Sequence, residues 1–250
     1  MTVDINKYKP LGDKKNSEYF HDYVGRIYER RESSGLEDLL SGICALVVQV
    51  DTGNAVAYMK ELYLMTPYRL SGIYQNGTHK FYFLNGHSAR PNFVILEPLH
   101  TSFEDDLTRL NMLHPMSRKN PNARYIGEIF STKDLKATRE ILESHNIRFH
   151  YPEETENEFF SNKHFNFTFP SALTGNRIGY TPHDSFDLDE LEHGKRIHLS
   201  NADQSTLEQA AEKASNLKIS DLVLGVDHMA TRILAGERED AILEFSTMSN

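Results

Sequence analysis

The feature that most constrains the fold is an order of predicted elements that occurs twice. In the first unit, an apolar run over Ile43–Val50 predicts a buried strand, and helical spacing of apolar residues over Ala55–Met65 predicts the helix that follows. Two strands then flank Asn76–Gly77, a dipeptide that favours tight hairpin turns, and a further strand ends at Pro98. The first unit therefore reads as strand, helix and three strands.

The second unit repeats this order. Tyr125–Phe130 predicts its opening strand, and Asp134 or Thr132 can cap a helix that runs over Leu135–His145. Alternating or apolar segments then predict three short strands, which are Arg148–Tyr151, Phe165–Phe169 and Arg177–Thr181. A repeated βαβββ pattern of this kind indicates two modules of the α+β class.

The C-terminal fifth of the chain starts the pattern again without completing it. A strand is predicted at Arg196–Leu199, a helix at Ser205–Ala214, an apolar run at Leu222–Ile233 and a last helix at Arg238–Phe245. We divide the chain into an N-terminal arm and helix (1–40), a first module with its connector (41–120), a second module (121–195) and a partial third module (196–250).

Composition narrows the classes of partner. The 250-residue chain carries a net charge of −9, and an acidic surface repels phosphate backbones, so we expect no nucleic-acid partner. The one cysteine, Cys44, cannot form an internal disulfide, which suits a reducing compartment and predicts a cytoplasmic protein. The longest apolar run is too short to span a bilayer, so we expect no membrane association.

The element order resembles the vicinal oxygen chelate superfamily, which includes glyoxalase I, extradiol dioxygenases, hydroxyphenylpyruvate dioxygenase, methylmalonyl-CoA epimerase and bleomycin-resistance proteins. Three segments are similar to module openings or closing strands: Phe93–Leu99, Ile126–Phe149 and Gly225–His228. The resemblance covers about residues 40–182 and restarts near 220. It implies an open cup of mixed sheet around a divalent metal, which would be Fe, Mn, Ni or Zn, and it makes a homodimer plausible.

The resemblance also implies candidate site residues. Glu97, on the closing strand of the first module, and His228 match ligand positions, and His183 is the candidate third ligand. Tyr180, on the closing strand of the second module, would orient the substrate through its hydroxyl group. Cys44 or Ala45 stands where the superfamily has a first-strand histidine, so the sequence departs from the family pattern there.

The sequence and the resemblance leave three alternative functions open. The first is a metal-dependent dioxygenase, lyase or isomerase that acts on a small oxygenated organic molecule in the cup. The second is a protein of the same fold that binds and sequesters a small molecule without a metal, which the missing first-strand histidines favour. The third is the non-catalytic part of a larger multi-module enzyme.

Overall fold

The computed structural model describes residues 14–86, 89–100, 123–151, 166–182, 194–218, 222–223, 225–231, 233–234 and 236–249. Within these ranges the helices are α1 (Lys14–Ser34), α2 (Ala55–Met65), α3 (Leu135–Ser144), α4 (Asn201–Asn216) and α5 (Arg238–Met248). The strands are β1 (Leu40–Val50), β2 (Arg69–Gln75), β3 (His79–Gly86), β4 (Ala89–Pro98), β5 (Ala123–Thr132), β6 (Asn166–Phe167), β7 (Arg177–Thr181) and β8 (Lys195–Ile197).

The described strands form one open mixed sheet in the order β6-β7-β5-β1-β4-β3-β2-β8. Within the first module β1 pairs with β4 in parallel, and within the second β5 pairs with β7 in parallel. The two modules meet where β1 and β5 pair in antiparallel fashion at the centre of the sheet. This pairing confirms the predicted α+β fold of repeated βαβββ modules. The strand predicted over Arg148–Tyr151 is reduced to a single bridge between Phe149 and Thr168.

Helices pack against one face of the sheet, and the other face has a core of strand residues. On one face α2 and α4 pack over the first module, where Met59 and Leu207 join strand residues such as Tyr82 and Ile95. On the same face of the second module, Leu142 of α3 packs in a core with strand residues. The core of the opposite face is built only from strand residues among those described. We call the first the helix face and the second the cup face.

The C-terminal elements extend the two modules. β8 pairs with β2 at the sheet edge, and Leu207 and Ala210 of α4 pack in the same core as α2. The resemblance implies that Gly225–His228 opens a module as a strand, and this is wrong, because residues 225–231 have no regular secondary structure. Met229 instead lines a cavity beside α5. In the ranges that the structure describes, no helix is both long and apolar enough to cross a membrane.

Candidate functional site

A β-bulge in β5 brings two polar side chains together. The register with β1 shifts between the pairs Val47–Gly127 and Val48–Tyr125, which leaves one extra residue in β5. Side chains alternate along a strand, so residues three apart normally point to opposite faces. One extra residue between them changes this alternation and places both side chains on the same face. Tyr125 and Glu128 therefore both lie on the helix face, and the Tyr125 hydroxyl donates a hydrogen bond to Glu128 Oε2.

Gly127 makes this geometry possible. A Cβ atom added at this position would lie 1.8 Å from the carbonyl oxygen of Arg177 on the neighbouring strand β7. Such a distance is far inside van der Waals contact, and the obstructing atom belongs to the backbone, which cannot rotate away. Only glycine lets β5 and β7 approach each other here.

A cavity of about 530 Å³ lies over Tyr125 and Glu128. Its floor is formed by β5 and β7, its roof by α5, and its sides by the turn at 171–176 and by residues in the segment that begins at Met229. Ile178, Met229 and Phe245 contribute apolar surface. A concave, mostly apolar space with a few converging polar groups is the usual form of a small-molecule site.

Glu128 is the chemically distinctive group of this cavity. It is only 3% exposed although it lines the cavity. Burial raises the pKa of its carboxyl group from the usual 4.5 to about 8, because the charged form loses its hydration. The carboxyl group therefore keeps its proton at neutral pH, and its ionised form is a stronger base than an ordinary glutamate. A pKa close to the working pH suits a general acid or base.

A second carboxylate lies on the roof. The Ser171 hydroxyl donates to Glu244 Oε2 on α5. The same hydroxyl oxygen accepts hydrogen bonds from the backbone N–H groups of Leu173 and Thr174, both at 3.1 Å. These two bonds occupy the oxygen as an acceptor and leave its proton for the carboxylate. The turn at 171–176 thus holds Glu244 in place at the cavity wall.

The roof helix is anchored on both flanks. From α1, the Tyr23 hydroxyl donates to the Glu239 carbonyl oxygen at 2.7 Å, and Arg30 Nε donates to Thr247 Oγ1 at 2.7 Å. From β7, the Tyr180 hydroxyl donates to the Met248 carbonyl oxygen at 2.6 Å. These bonds fix both ends of α5 and so hold the cavity open beneath its middle.

Tyr180, the predicted substrate-orienting residue, belongs to this anchoring set. Its side chain is fully buried on the helix face, and its ring lies 6.4 Å from that of Phe130 and 5.9 Å from that of Phe149. Burial raises the pKa of Tyr180, and the Glu128 carboxylate raises it further. Its described contacts are those of a core residue that supports α5, next to the cavity floor.

Glu97 also faces the helices. Its side chain is buried, Oε1 accepts from the backbone N–H of Ala55 at 3.1 Å, and Oε2 accepts from the Tyr82 hydroxyl at 2.7 Å. The carboxylate therefore satisfies one of the free N–H groups at the first turn of α2 and complements the positive end of the helix dipole. Lys80 Nζ lies 3.5 Å from Oε2.

His228 lies elsewhere, in the irregular segment 225–231. Its side chain is 83% exposed, and its Nδ1 lies 2.8 Å from Asp227 Oδ2. His183 is outside the described residues. Among the residues that are described, no group of three or more His, Cys, Asp or Glu side chains is arranged to hold a metal ion. The assignment of these residues as metal ligands stays a prediction.

Comparison with known proteins finds similar solved structures at low sequence identity. No protein-family model matches the sequence, and no curated protein matches it. Among solved structures, methylmalonyl-CoA epimerase from Mycobacterium tuberculosis is 15% identical, with 58% of this chain and 89% of that chain covered and a TM-score of 0.42. A hypothetical protein from Bacillus halodurans is 13% identical, with 64% and 98% covered and a TM-score of 0.37.

A third solved structure, a variant of Streptomyces coelicolor methylmalonyl-CoA epimerase in complex with 2-nitronate-propionyl-CoA, is 15% identical, with 56% and 96% covered and a TM-score of 0.38. These scores describe a partial overlap. The resemblance to the vicinal oxygen chelate superfamily at the level of the fold rests on the strand order and on the parallel pairing of the first and last strands of each module.

The sequence interpretation missed Glu128. A signal was present, because Glu128 is the single charged residue within the otherwise apolar or neutral run Tyr125–Phe130 and directly follows a glycine. A buried strand rarely carries an acid without a partner or a function. The roles of Glu244 and Ser171 depend on how the C-terminal helix packs, and local sequence carries no information about that packing.

Proposed function

We propose that this chain is a small-molecule enzyme that binds an oxygenated, largely apolar organic molecule in the cavity beneath α5 and exchanges a proton with it through Glu128. One observation carries the proposal: a carboxyl group that is 3% exposed lines a 530 Å³ cavity and has a pKa of about 8. A buried titratable group with a strongly shifted pKa in a cavity is a functional-site candidate. Isomerases and lyases that act by proton transfer use a positioned general base of this kind.

The step that we propose is enolisation of a carbonyl compound. The Glu128 carboxylate removes a proton from the carbon next to the carbonyl group, the C–H electron pair forms the new C=C bond, and the carbonyl π pair moves onto oxygen. The reverse step returns a proton to carbon, so atoms and electrons balance without an oxidant. Tyr125 orients the carboxylate through its hydrogen bond to Oε2, and in this proposal Oε1 takes the proton from the substrate.

Tyr125 has a second role in this proposal. When Glu128 has accepted the proton, its oxygen is uncharged and holds the Tyr125 hydroxyl less strongly. The hydroxyl is then able to donate to the enolate oxygen inside the same cavity, where a hydrogen bond to a developing charge is stronger than in water.

Hydrogen exchange in heavy water tests this function. The protein is incubated in D₂O with 4-phenylcyclohexanone, and the loss of the protons next to the carbonyl group is followed by ¹H NMR. We expect wild type to accelerate exchange over buffer, Tyr125→Phe to be slower, and Glu128→Gln to give the buffer rate. Equal rates for wild type and Glu128→Gln would overturn the proposal.

The sequestering function uses the same cavity without the proton transfer. Binding of the ketone by wild type, together with the buffer rate of exchange, would favour that function over the enzyme. A homodimer, a cytoplasmic location and a part in a larger multi-module enzyme stay predictions.

The metal-dependent function also stays a prediction, and the described residues fit it poorly. Glu97 already accepts hydrogen bonds from Ala55 N–H and the Tyr82 hydroxyl, and it lies on the helix face. His228 is exposed and paired with Asp227. The proposed reaction therefore uses the Glu128 carboxylate and the Tyr125 hydroxyl alone.

A further inference from the structure

The cavity has two acidic side chains on different walls, and this arrangement bears on which molecules it accepts. Glu128 lies on the floor in β5, and Glu244 lies on the roof in α5. The one basic side chain among the described lining residues is Arg238, in the first turn of α5. An anionic group placed against the roof would meet the Glu244 carboxylate in a largely apolar space, where repulsion between like charges is strong.

Glu244 is held at the cavity wall by Ser171. Ser171 supplies a hydrogen bond to Oε2 only, and the Ser171 oxygen is itself fixed by two backbone N–H groups. Glu244 lines the cavity, and a carboxylate has two oxygens, so it can accept a further hydrogen bond besides the one from Ser171. A carboxylate oxygen in a partly apolar site is satisfied best by a donor on the ligand, because a hydrogen bond to a charged group is about twice as strong as a neutral one.

We infer that Glu244 is a specificity-determining residue, and that the cavity selects uncharged carbonyl compounds whose far end carries a hydrogen-bond donor and rejects those that carry a carboxylate there. The inference rests on the proposed function, since the carbonyl end is placed at Glu128. Ser171 acts on this selection through Glu244 and is a positioning residue.

Three ketones of one shape test the inference: 4-phenylcyclohexanone, 4-(4-hydroxyphenyl)cyclohexanone and 4-(4-oxocyclohexyl)benzoate. Their dissociation constants are measured by titration calorimetry at pH 7 for wild type, Glu244→Gln, Ser171→Ala and Glu128→Gln. For wild type we expect the hydroxyphenyl ketone to bind about ten-fold more tightly than the phenyl ketone, and the benzoate to bind about ten-fold more weakly.

Glu244→Gln should remove most of this discrimination, with the benzoate gaining and the hydroxyphenyl ketone losing affinity. Ser171→Ala should give a smaller change in the same direction, because the carboxylate stays but is no longer fixed. Glu128→Gln should weaken the binding of all three ketones and leave the order of their affinities unchanged.

The outcomes separate the two proposals. If all three ketones bind wild type with one affinity, or if Glu244→Gln leaves their order unchanged, the role of Glu244 is overturned while the Glu128 site stands. If no ketone binds wild type, both proposals are overturned. Unfolding curves for each variant show whether a loss of binding reflects loss of the fold.

Discussion

The Tyr125 hydroxyl donates a hydrogen bond to Glu128 Oε2, although a spacing of three residues along a regular strand places two side chains on opposite faces of the sheet. The bulge in β5 accounts for the contact, because the register shift against β1 makes Tyr125 and Glu128 neighbours on the helix face. Bulges are common next to active sites, where they re-aim a side chain. The candidate site thus depends on one irregularity in the central strands of the sheet.

Gly127→Ala tests the structural basis of the bulge. The new methyl group would collide with the Arg177 carbonyl oxygen at 1.8 Å, so β5 and β7 would have to separate. We expect a loss of about 3 kcal/mol or more in the free energy of unfolding, measured by urea denaturation. Gly25→Ala in α1 is the matched control, since nothing lies within 4 Å of its added Cβ. That change should stabilise the protein by roughly 0.5–1 kcal/mol. Equal effects of the two substitutions would contradict the close approach of β5 and β7.

The buried Glu128 carboxyl should make stability depend on pH. Its pKa is about 8 in the folded protein and the usual 4.5 when unfolded, so between these values the folded state binds the extra proton. The free energy of unfolding must therefore fall as pH rises from about 5 to 8, on the order of 2–4 kcal/mol in total. Glu128→Gln, which cannot titrate, should remove this contribution and flatten the curve. Parallel curves for wild type and Glu128→Gln would show that the carboxyl pKa is not raised.

The rate of enolisation should follow the same titration in the opposite sense. The base is the ionised carboxylate, so ketone exchange should increase by about ten-fold per pH unit below the pKa and level off above about 8. The measurement is the initial rate of deuterium uptake from about pH 5 to well above the pKa, corrected for buffer catalysis. A rate that hardly changes with pH over this range is expected for a carboxyl group with the usual pKa of 4.5 and would assign the chemistry to an ordinary carboxylate.

Glu97→Ala should destabilise the first module. The substitution leaves the Ala55 N–H and the Tyr82 hydroxyl buried without their acceptor, which costs about 2–4 kcal/mol in the free energy of unfolding. Lys80→Ala is the control, because its amino group is partly exposed at 3.5 Å from the same carboxylate, and its loss should cost under about 1 kcal/mol. If Lys80→Ala were as harmful as Glu97→Ala, the ion pair would outweigh the helix contact.

Elemental analysis distinguishes the metal-dependent enzyme from the metal-free enzyme and the metal-free binding protein. Purified, untagged protein is measured by inductively coupled plasma mass spectrometry beside His228→Ala, after reconstitution with Fe, Mn, Ni or Zn salts. Because His228 is 83% exposed and paired with Asp227, we expect less than stoichiometric metal and no difference between the two proteins. Stoichiometric metal that is lost in His228→Ala would support the metal-dependent enzyme instead.

Much of the fold is readable from the sequence because it is encoded locally. The helix Ala55–Met65 and the strand Arg177–Thr181 have the predicted bounds, and Asp134 caps α3 by accepting a hydrogen bond from Ala137 N–H. The spacing of apolar residues and the cap side chains act within a few positions, so a single sequence shows them.

The site was harder to predict because it depends on contacts between distant segments. The sequence places Glu97 among the metal ligands, but the face of β4 on which it lies is set by the register with β3 and by the position of α2. The bulge at Gly127 depends on the approach of β7, and the cavity depends on the packing of α5, which lies far along the chain from β5. The apolar segment near His228 lines that cavity and forms no strand.

The most direct test of the central claim is an NMR titration of the Glu128 carboxyl carbon, in protein labelled with ¹³C at glutamate side chains and assigned with Glu128→Gln. We predict a midpoint at pH about 8, and a further rise when 4-phenylcyclohexanone is added, because the ketone accepts a hydrogen bond from the protonated carboxyl group. A midpoint near the usual 4.5 that the ketone does not move would contradict the claim that Glu128 is an uncharged acid in a ligand cavity.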